Sequence, residues 1–147
     1  MSRIKTVLVT TDFSDTSFRA FGLAAETAEK FGAKLILAHI EEDRLPPLVL
    51  EYADVDLAEI LRCQEERARK KLEEIAPDLG ADVQLEVANG TPHVEIVRLA
   101  EELQVDLIVM ATHGRGVISH AILGSTTERV LRHAPCPVLI VRESRQD

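Results

Sequence analysis

A glycine-bearing loop that leads into a helix is the segment of this sequence best suited to hold phosphate. It runs from Ala111 to Glu128 and contains Gly114, Arg115 and Gly124. Glycine lets the backbone approach a ligand closely, the first turn of a helix offers unpaired N–H groups, and an arginine supplies a cation. These residues predict a phosphate cradle.

The same segment also fits an ordinary capped helix that follows a loop. Ser125 with Glu128 three residues later has the capping-box pattern, which predicts that Ser125 caps the last helix. The carboxylate of Glu128 would then bring a negative charge to the helix start and weaken anion binding there. On the residues alone, both interpretations stay open.

Runs of branched aliphatic residues alternate with helical patterns along the chain, and these elements must position the loop. Apolar runs without alternation predict strands buried on both faces, whereas apolar residues at helical spacing predict amphipathic helices. The predicted strands cover residues 7–9, 35–38, 83–87, 107–110 and 138–141, and helices are predicted to begin after Ser14 or Asp15, near Leu57, at Pro92 and at Ser125.

This alternation predicts one doubly wound α/β domain over residues 1–147, with a five-stranded parallel sheet and helices on both faces. In the third strand Val83, Leu85 and Val87 alternate with polar residues, which is typical of a sheet edge. The pattern favours the strand order 3-2-1-4-5. A ligand then belongs at the carboxyl ends of strands one and four, where the winding direction reverses.

The polar residues Thr10-Thr11-Asp12 follow the first strand and would face the cradle loop across this switch point. Asp12 has two interpretations, as a ligand-binding group or as a cap for the first helix. His39 ends a predicted buried strand and fits a hydrogen-bonded structural histidine. His113 lies in the cradle loop, where it has either a surface role or a phosphate contact.

The composition argues against several classes of partner. With 17 Lys+Arg against 25 Asp+Glu, the formal net charge of −8 gives a field that repels nucleic acid and acidic lipid. No apolar run approaches the ~18 residues of a membrane span, and the N-terminal residues lack the pattern of a signal peptide. We therefore expect a cytoplasmic protein that binds neither nucleic acid nor membrane.

The sequence also lacks the usual signatures of metal and catalytic sites. Its two cysteines, Cys63 and Cys136, make neither a disulfide framework nor a zinc site. No pair of histidines has the i,i+4 spacing of helical metal ligands, and no nucleophile stands beside an evident base. We predict no metal-binding side chains and no catalytic residue.

The sequence resembles the universal stress protein family along essentially its whole length. The nucleotide-binding branch of that family carries G-x2-G-x9-G-[S/T] after its fourth strand. This chain reads Ala111-Thr112-His113-Gly114, then nine residues, then Gly124-Ser125, so that alanine replaces the first glycine. Other similar segments are Thr11-Asp12-Phe13-Ser14, His39-Ile40, Asn89-Gly90-Thr91-Pro92 and His133-Ala134-Pro135-Cys136-Pro137-Val138.

The resemblance implies a site for ATP, or for AMP or ADP, with Mg²⁺ or Mn²⁺ bound through the phosphates. It implies contacts with adenine, ribose and phosphate from Thr10, Thr11, Asp12, the backbone of Ile40, Met110, Ala111, Gly114, Arg115, Gly124, Ser125 and Thr126. The methyl group of Ala111 would narrow the approach of the ligand if the backbone there required a positive φ.

The function implied by the resemblance is that of a nucleotide-dependent regulator in the stress response. Two alternatives stay open: a nucleotide-free dimeric adaptor, which the alanine at position 111 favours, and a slow ATPase. Val138–Val141 is apolar on both faces at a predicted sheet edge, which favours two-fold pairing with a second copy. The resemblance also implies this homodimer, whereas the client protein is not indicated.

Overall fold

Strands and helices alternate along the chain. The computed structural model describes residues 3–42, 51, 56–80, 82–112 and 123–142. In chain order the elements are β1 (Thr6–Thr10), α1 (Asp15–Phe31), β2 (Lys34–Glu41), α2 (Leu57–Ile75), a 3-10 turn (Ala76–Leu79), β3 (Val83–Asn89), α3 (Pro92–Glu102), β4 (Leu107–Ala111), α4 (Ser125–His133) and β5 (Val138–Val141). None of the helices described is long and apolar enough to cross a membrane.

The strands of the described residues form one parallel sheet in the order β3-β2-β1-β4-β5. This confirms the predicted fold class and strand order. β1 pairs with β2 from Thr6↔Lys34 to Thr10↔Ala38 and ends there, while β2 continues along β3 to the pair Glu41↔Asn89. The central strand β1 therefore ends before its neighbour β2.

Two apolar layers cover the sheet. On one face Val7, Val9 and Leu37 pack against α1 and the C-terminal half of α2. On the other face Leu8 and Ile108 pack against α3 and α4. The connections after β1 and β4 thus leave toward opposite faces, as the doubly wound prediction requires.

Local signals fix the ends of the helices. Ser14 rather than Asp15 caps α1, because its side chain accepts a hydrogen bond from the N–H of Ser17 at 3.2 Å. Gly32 ends the same helix with a φ of 60°, a conformation that costs glycine little. Pro92 is the first residue of α3, where its missing N–H is not needed.

α2 packs less of its length than its apolar spacing predicts. Only Ala68 and Leu72 are buried, both in its C-terminal half, whereas Leu57 at its start is 43% exposed. The i,i+4 spacing of charged residues on its surface allows a Glu66–Lys70 contact. Arg62 instead bonds Glu66 at 2.9 Å.

Two leucines of α2 give a matched test of this packing. Leu72→Ala removes a fully buried side chain and should lower the free energy of unfolding by about 2–5 kcal/mol. Leu57→Ala, the same change on the same helix, should alter it by less than about 0.5 kcal/mol. Urea unfolding followed by circular dichroism measures both. Equal losses would contradict the packing described for α2.

Candidate functional site

A cleft lies at the carboxyl ends of β1, β2 and β4, and its volume of about 610 Å³ is that of a small-molecule site. The structure brings together in its walls every predicted site residue that it describes: Thr10, Thr11, Asp12, Ile40, Met110, Ala111, Gly124, Ser125 and Thr126. The predicted contacts His113, Gly114 and Arg115 lie outside the described residues.

The start of α4 forms one wall of the cleft. Gly124 is its N-cap, since the Gly124 carbonyl accepts from the N–H of Glu128 at 3.0 Å. The predicted capping box is therefore wrong: Ser125 is the first helical residue, not the cap. Glu128 directs its carboxylate to Arg132 at 2.8 Å, so its charge is paired along the helix surface.

Among the described residues, this arrangement leaves the first turn of α4 without a side-chain cap, because glycine has none to offer. N–H groups in a first helical turn have no intrahelical acceptor, and the helix dipole adds positive potential there. The Thr127 hydroxyl donates to the Ala111 carbonyl at 3.1 Å and ties the helix to β4. The result is a fixed, open helix N-terminus that suits an anion.

The alanine at position 111 causes no strain. Ala111 is the last residue of β4, and among the described residues other than glycine only Phe13 and Gln104 have a positive φ. The condition under which the methyl group was expected to narrow the approach of the ligand, a positive φ at Ala111, is therefore not met.

The loop after β1 forms the opposite wall. The Asp12 carboxylate accepts from the N–H of Ser14 at 2.9 Å and from its hydroxyl. Since Ser14 is the cap of α1, Asp12 is not the helix cap but the residue that shapes this loop. The Thr11 hydroxyl contacts Ser17 Oγ at 2.8 Å and accepts from the N–H of Phe13 at 2.9 Å.

Ile40 presents a free peptide edge to the cleft. The Ala38 carbonyl accepts from the N–H of Thr11, and in a strand the residue two positions on directs its backbone groups the same way. The N–H and carbonyl of Ile40 therefore face the side that β1 has left. Neither has a hydrogen-bond partner among the described residues.

The side chain of His39 extends from β2 on the face opposite to that of the Ile40 side chain, and His39 is 8% exposed. Its Nδ1 is 2.8 Å from the Thr11 carbonyl oxygen and its Nε2 is 2.9 Å from Oε2 of Glu41. This confirms the prediction of a hydrogen-bonded structural histidine.

Two features of the cleft were missed by the sequence analysis. Phe13 adopts a φ of 67°, and its ring lies 4.4 Å from the His39 ring and 5.2 Å from Nζ of Lys71. The helix α2, to which the sequence analysis gave no part in the site, contributes Gln64, Arg67, Ala68 and Lys71 to the lining. Their i, i+3, i+4 and i+7 spacing was the available signal, whereas nothing in the sequence indicates the strained Phe13 backbone.

The thiols are separate from the cleft. Cys63 is exposed on α2 and Cys136 is half-buried near β5. Burial raises the pKa of the Cys136 thiol, and the negative charge of Asp106 raises it further, so the protonated form is favoured. No cluster of three or more His, Cys, Asp or Glu with metal-binding geometry occurs in the part of the chain that is described.

Comparison with known proteins places the chain in a family. The model of the universal stress protein family matches residues 3–142. A universal stress protein of Methanocaldococcus jannaschii, MJ0531, is 33% identical over 146 residues, covering 97% of this chain and 85% of the relative.

Solved structures agree with this assignment. The structure of MJ0577 from the same organism is 30% identical with a TM-score of 0.78, covering 99% of this chain and 100% of its own. A universal stress protein solved in complex with cAMP is 32% identical with a TM-score of 0.65, covering 97% of this chain and 100% of its own. The chain belongs to the universal stress protein family.

Proposed function

We propose that this protein binds ATP, or the related AMP or ADP, in the cleft and acts as a nucleotide-dependent regulator of the stress response. The observation that carries the proposal is the free peptide edge of Ile40, which faces the open N-terminus of α4 across the cleft. One end of the site can hydrogen-bond a base and the other can bind phosphate.

The Ile40 edge favours adenine over guanine. An N–H donor beside a carbonyl acceptor complements adenine, whose exocyclic N6 donates while its ring N1 accepts. Guanine carries an O6 acceptor where adenine has the N6 donor, so its edge has the opposite pattern. A mismatched base leaves both buried peptide groups unsatisfied, at a cost of about 1–3 kcal/mol for each group.

The phosphates belong at the start of α4. The N–H groups of its first turn and the hydroxyls of Ser125 and Thr126 offer donors there. Gly114 and Arg115, and His113 beside them, are assigned to the phosphates from the family resemblance. A divalent cation would be held mainly by phosphate oxygens and water, as Mg²⁺ commonly is, because the described residues form no protein cage for it.

The cAMP complex of a relative with 32% identity supports an adenine nucleotide as the ligand. Nucleotide binding would regulate the protein by bridging the loop after β1 and the start of α4, because the ligand contacts both. The cleft thereby links two elements that lie on opposite faces of the sheet.

Gly124→Val tests the site. Gly124 is buried with a φ of −60°, which valine adopts readily, so the fold should survive while the branched side chain blocks the phosphates. ATP affinity measured by calorimetry should fall at least about 100-fold, a loss of some 2.8 kcal/mol. Gly22→Val is the control, because a Cβ added at this exposed helical glycine meets no atom within 4 Å. Undiminished ATP binding by Gly124→Val would refute the site.

Arg115→Ala tests the assignment of that side chain as a phosphate clamp. Charge-assisted hydrogen bonds to phosphate contribute about 1.5–3 kcal/mol, so ATP affinity should fall roughly 10- to 100-fold. Adenosine lacks phosphate and should bind the variant as it binds the wild type. If both ligands lose the same affinity, Arg115 does not contact phosphate.

We also propose that two copies of the chain pair through β5. This strand is at the edge of the sheet, and all four of its residues are half-buried. The carbonyls of Pro137 and Val141 bond β4, so the alternate residues Val138 and Ile140 direct their peptide groups away from the sheet. Antiparallel pairing with a second copy would satisfy these groups on both chains.

Ile140→Pro tests the dimer, because it removes an outward N–H without removing a hydrogen bond to β4. Ile140→Ala also shortens the side chain but keeps that N–H and is the matched control. Light scattering should give twice 16.3 kDa for the wild type and Ile140→Ala, and 16.3 kDa for Ile140→Pro. A monomeric wild type at micromolar concentration would rule out the dimer.

A further inference from the structure

The parallel hydrogen-bond ladder between β1 and β2 lacks the next step that the two backbones could form. The Ala38 carbonyl accepts from the N–H of Thr11 at 3.0 Å. Continued in the same parallel pattern, the next step would join the Ile40 N–H to the Thr11 carbonyl and the Ile40 carbonyl to the Phe13 N–H. Neither of these bonds forms.

Both groups that this step would require are bonded elsewhere. The Thr11 carbonyl accepts from Nδ1 of His39 at 2.8 Å. The Phe13 N–H donates to Oγ1 of Thr11 at 2.9 Å. Because a carbonyl oxygen can only accept, Nδ1 is the ring nitrogen that carries the proton toward it. Nδ1 of His39 therefore makes the hydrogen bond to the Thr11 carbonyl that the Ile40 N–H would make in a continued sheet.

The neighbours of His39 hold its ring in this orientation. Glu41 engages Nε2 at 2.9 Å, and the Phe13 ring packs against the imidazole at 4.4 Å. Lys71 of α2 places its ammonium group 5.2 Å from the centre of the Phe13 ring, within cation–π range. Phe13 keeps its unfavourable φ of 67° in this stack, which indicates that the surrounding contacts determine its position.

We propose that His39 is a positioning residue for the base: its Nδ1 takes the Thr11 carbonyl in place of the Ile40 N–H and so keeps the peptide edge of Ile40 open to adenine. This inference rests on the proposed nucleotide site. Without a donor at Nδ1, the Thr11 carbonyl takes the Ile40 N–H as its partner, and the ladder closes over the groups that the base would use.

Three substitutions of His39 distinguish the roles of its two ring nitrogens. Asparagine carries an N–H close to the position of Nδ1, whereas glutamine reaches the position of Nε2 and leucine offers no donor. By calorimetry, His39→Asn should bind adenosine within about threefold of the wild type, while His39→Gln and His39→Leu should lose about tenfold or more, the value of one hydrogen bond. Inorganic tripolyphosphate, which lacks a base, should bind all three variants as it binds the wild type.

Amide hydrogen exchange by NMR tests the same inference without any ligand. Ile36 faces β1 inside the ladder and is the matched control for Ile40 in the same strand. In the wild-type protein the Ile40 amide should exchange faster than that of Ile36. In His39→Leu and His39→Gln the Ile40 amide should become protected, because its N–H then bonds the Thr11 carbonyl.

The outcomes distinguish the two proposals. A wild-type protein that binds neither adenosine nor ATP overturns the nucleotide site, and the exchange experiment still decides whether His39 keeps the ladder open. Wild-type binding with equal losses in the asparagine and glutamine variants, or an Ile40 amide that exchanges alike in all the proteins, overturns the positioning role. Rescue by asparagine alone supports it.

Discussion

A doubly wound parallel sheet cannot cover its own carboxyl edge between β1 and β4, because the chain leaves these two strands toward opposite faces. In this protein α1 and α2 cover one face, and α3 and α4 cover the other. The polar peptide groups at that edge must then be satisfied by loops, by solvent or by a ligand. The arrangement of the cleft follows from which of these peptide groups are bonded by loops and which are left for solvent or a ligand.

Loop residues bond the peptide groups that follow β1 but, among the described residues, not those of Ile40 near the end of β2. Thr11 and Asp12 satisfy most of the groups near β1 through their own side chains, which turns the loop back on itself. β2, by contrast, extends beyond β1 and keeps only its β3 side paired, so the Ile40 peptide is left over. A short central strand beside a longer neighbour is thus the structural origin of the open peptide edge at Ile40.

The fold was predictable because its signals are local and redundant. Apolar runs marked the strands, the alternation at Val83, Leu85 and Val87 marked an edge, and Ser14 and Gly32 marked the ends of α1. The capping box failed since its pattern specifies a spacing but not which residue leaves the helical conformation. In the structure Gly124 is the N-cap, and the Glu128 carboxylate pairs with Arg132.

The candidate site was predictable as a set of residues but not as a mechanism. Motif spacing identified Gly124 and Ser125, and the switch-point rule placed them opposite Thr11. The role proposed for His39 depends on which carbonyl one ring nitrogen reaches, and that is a matter of register and side-chain rotamer rather than residue type.

The two ends of the cleft also differ in physical character, which matters in a chain with a net charge of −8. At the α4 end of the proposed nucleotide site the helix dipole and phosphate-binding cations would act through charge, so salt would screen their contribution and the acidic surface would oppose the approach of the ligand. At the Ile40 end the interaction is between neutral, directional groups, which are nearly insensitive to ionic strength. In the proposed nucleotide site, discrimination between bases would therefore reside in the sheet edge, while the phosphate end would add affinity that varies with salt.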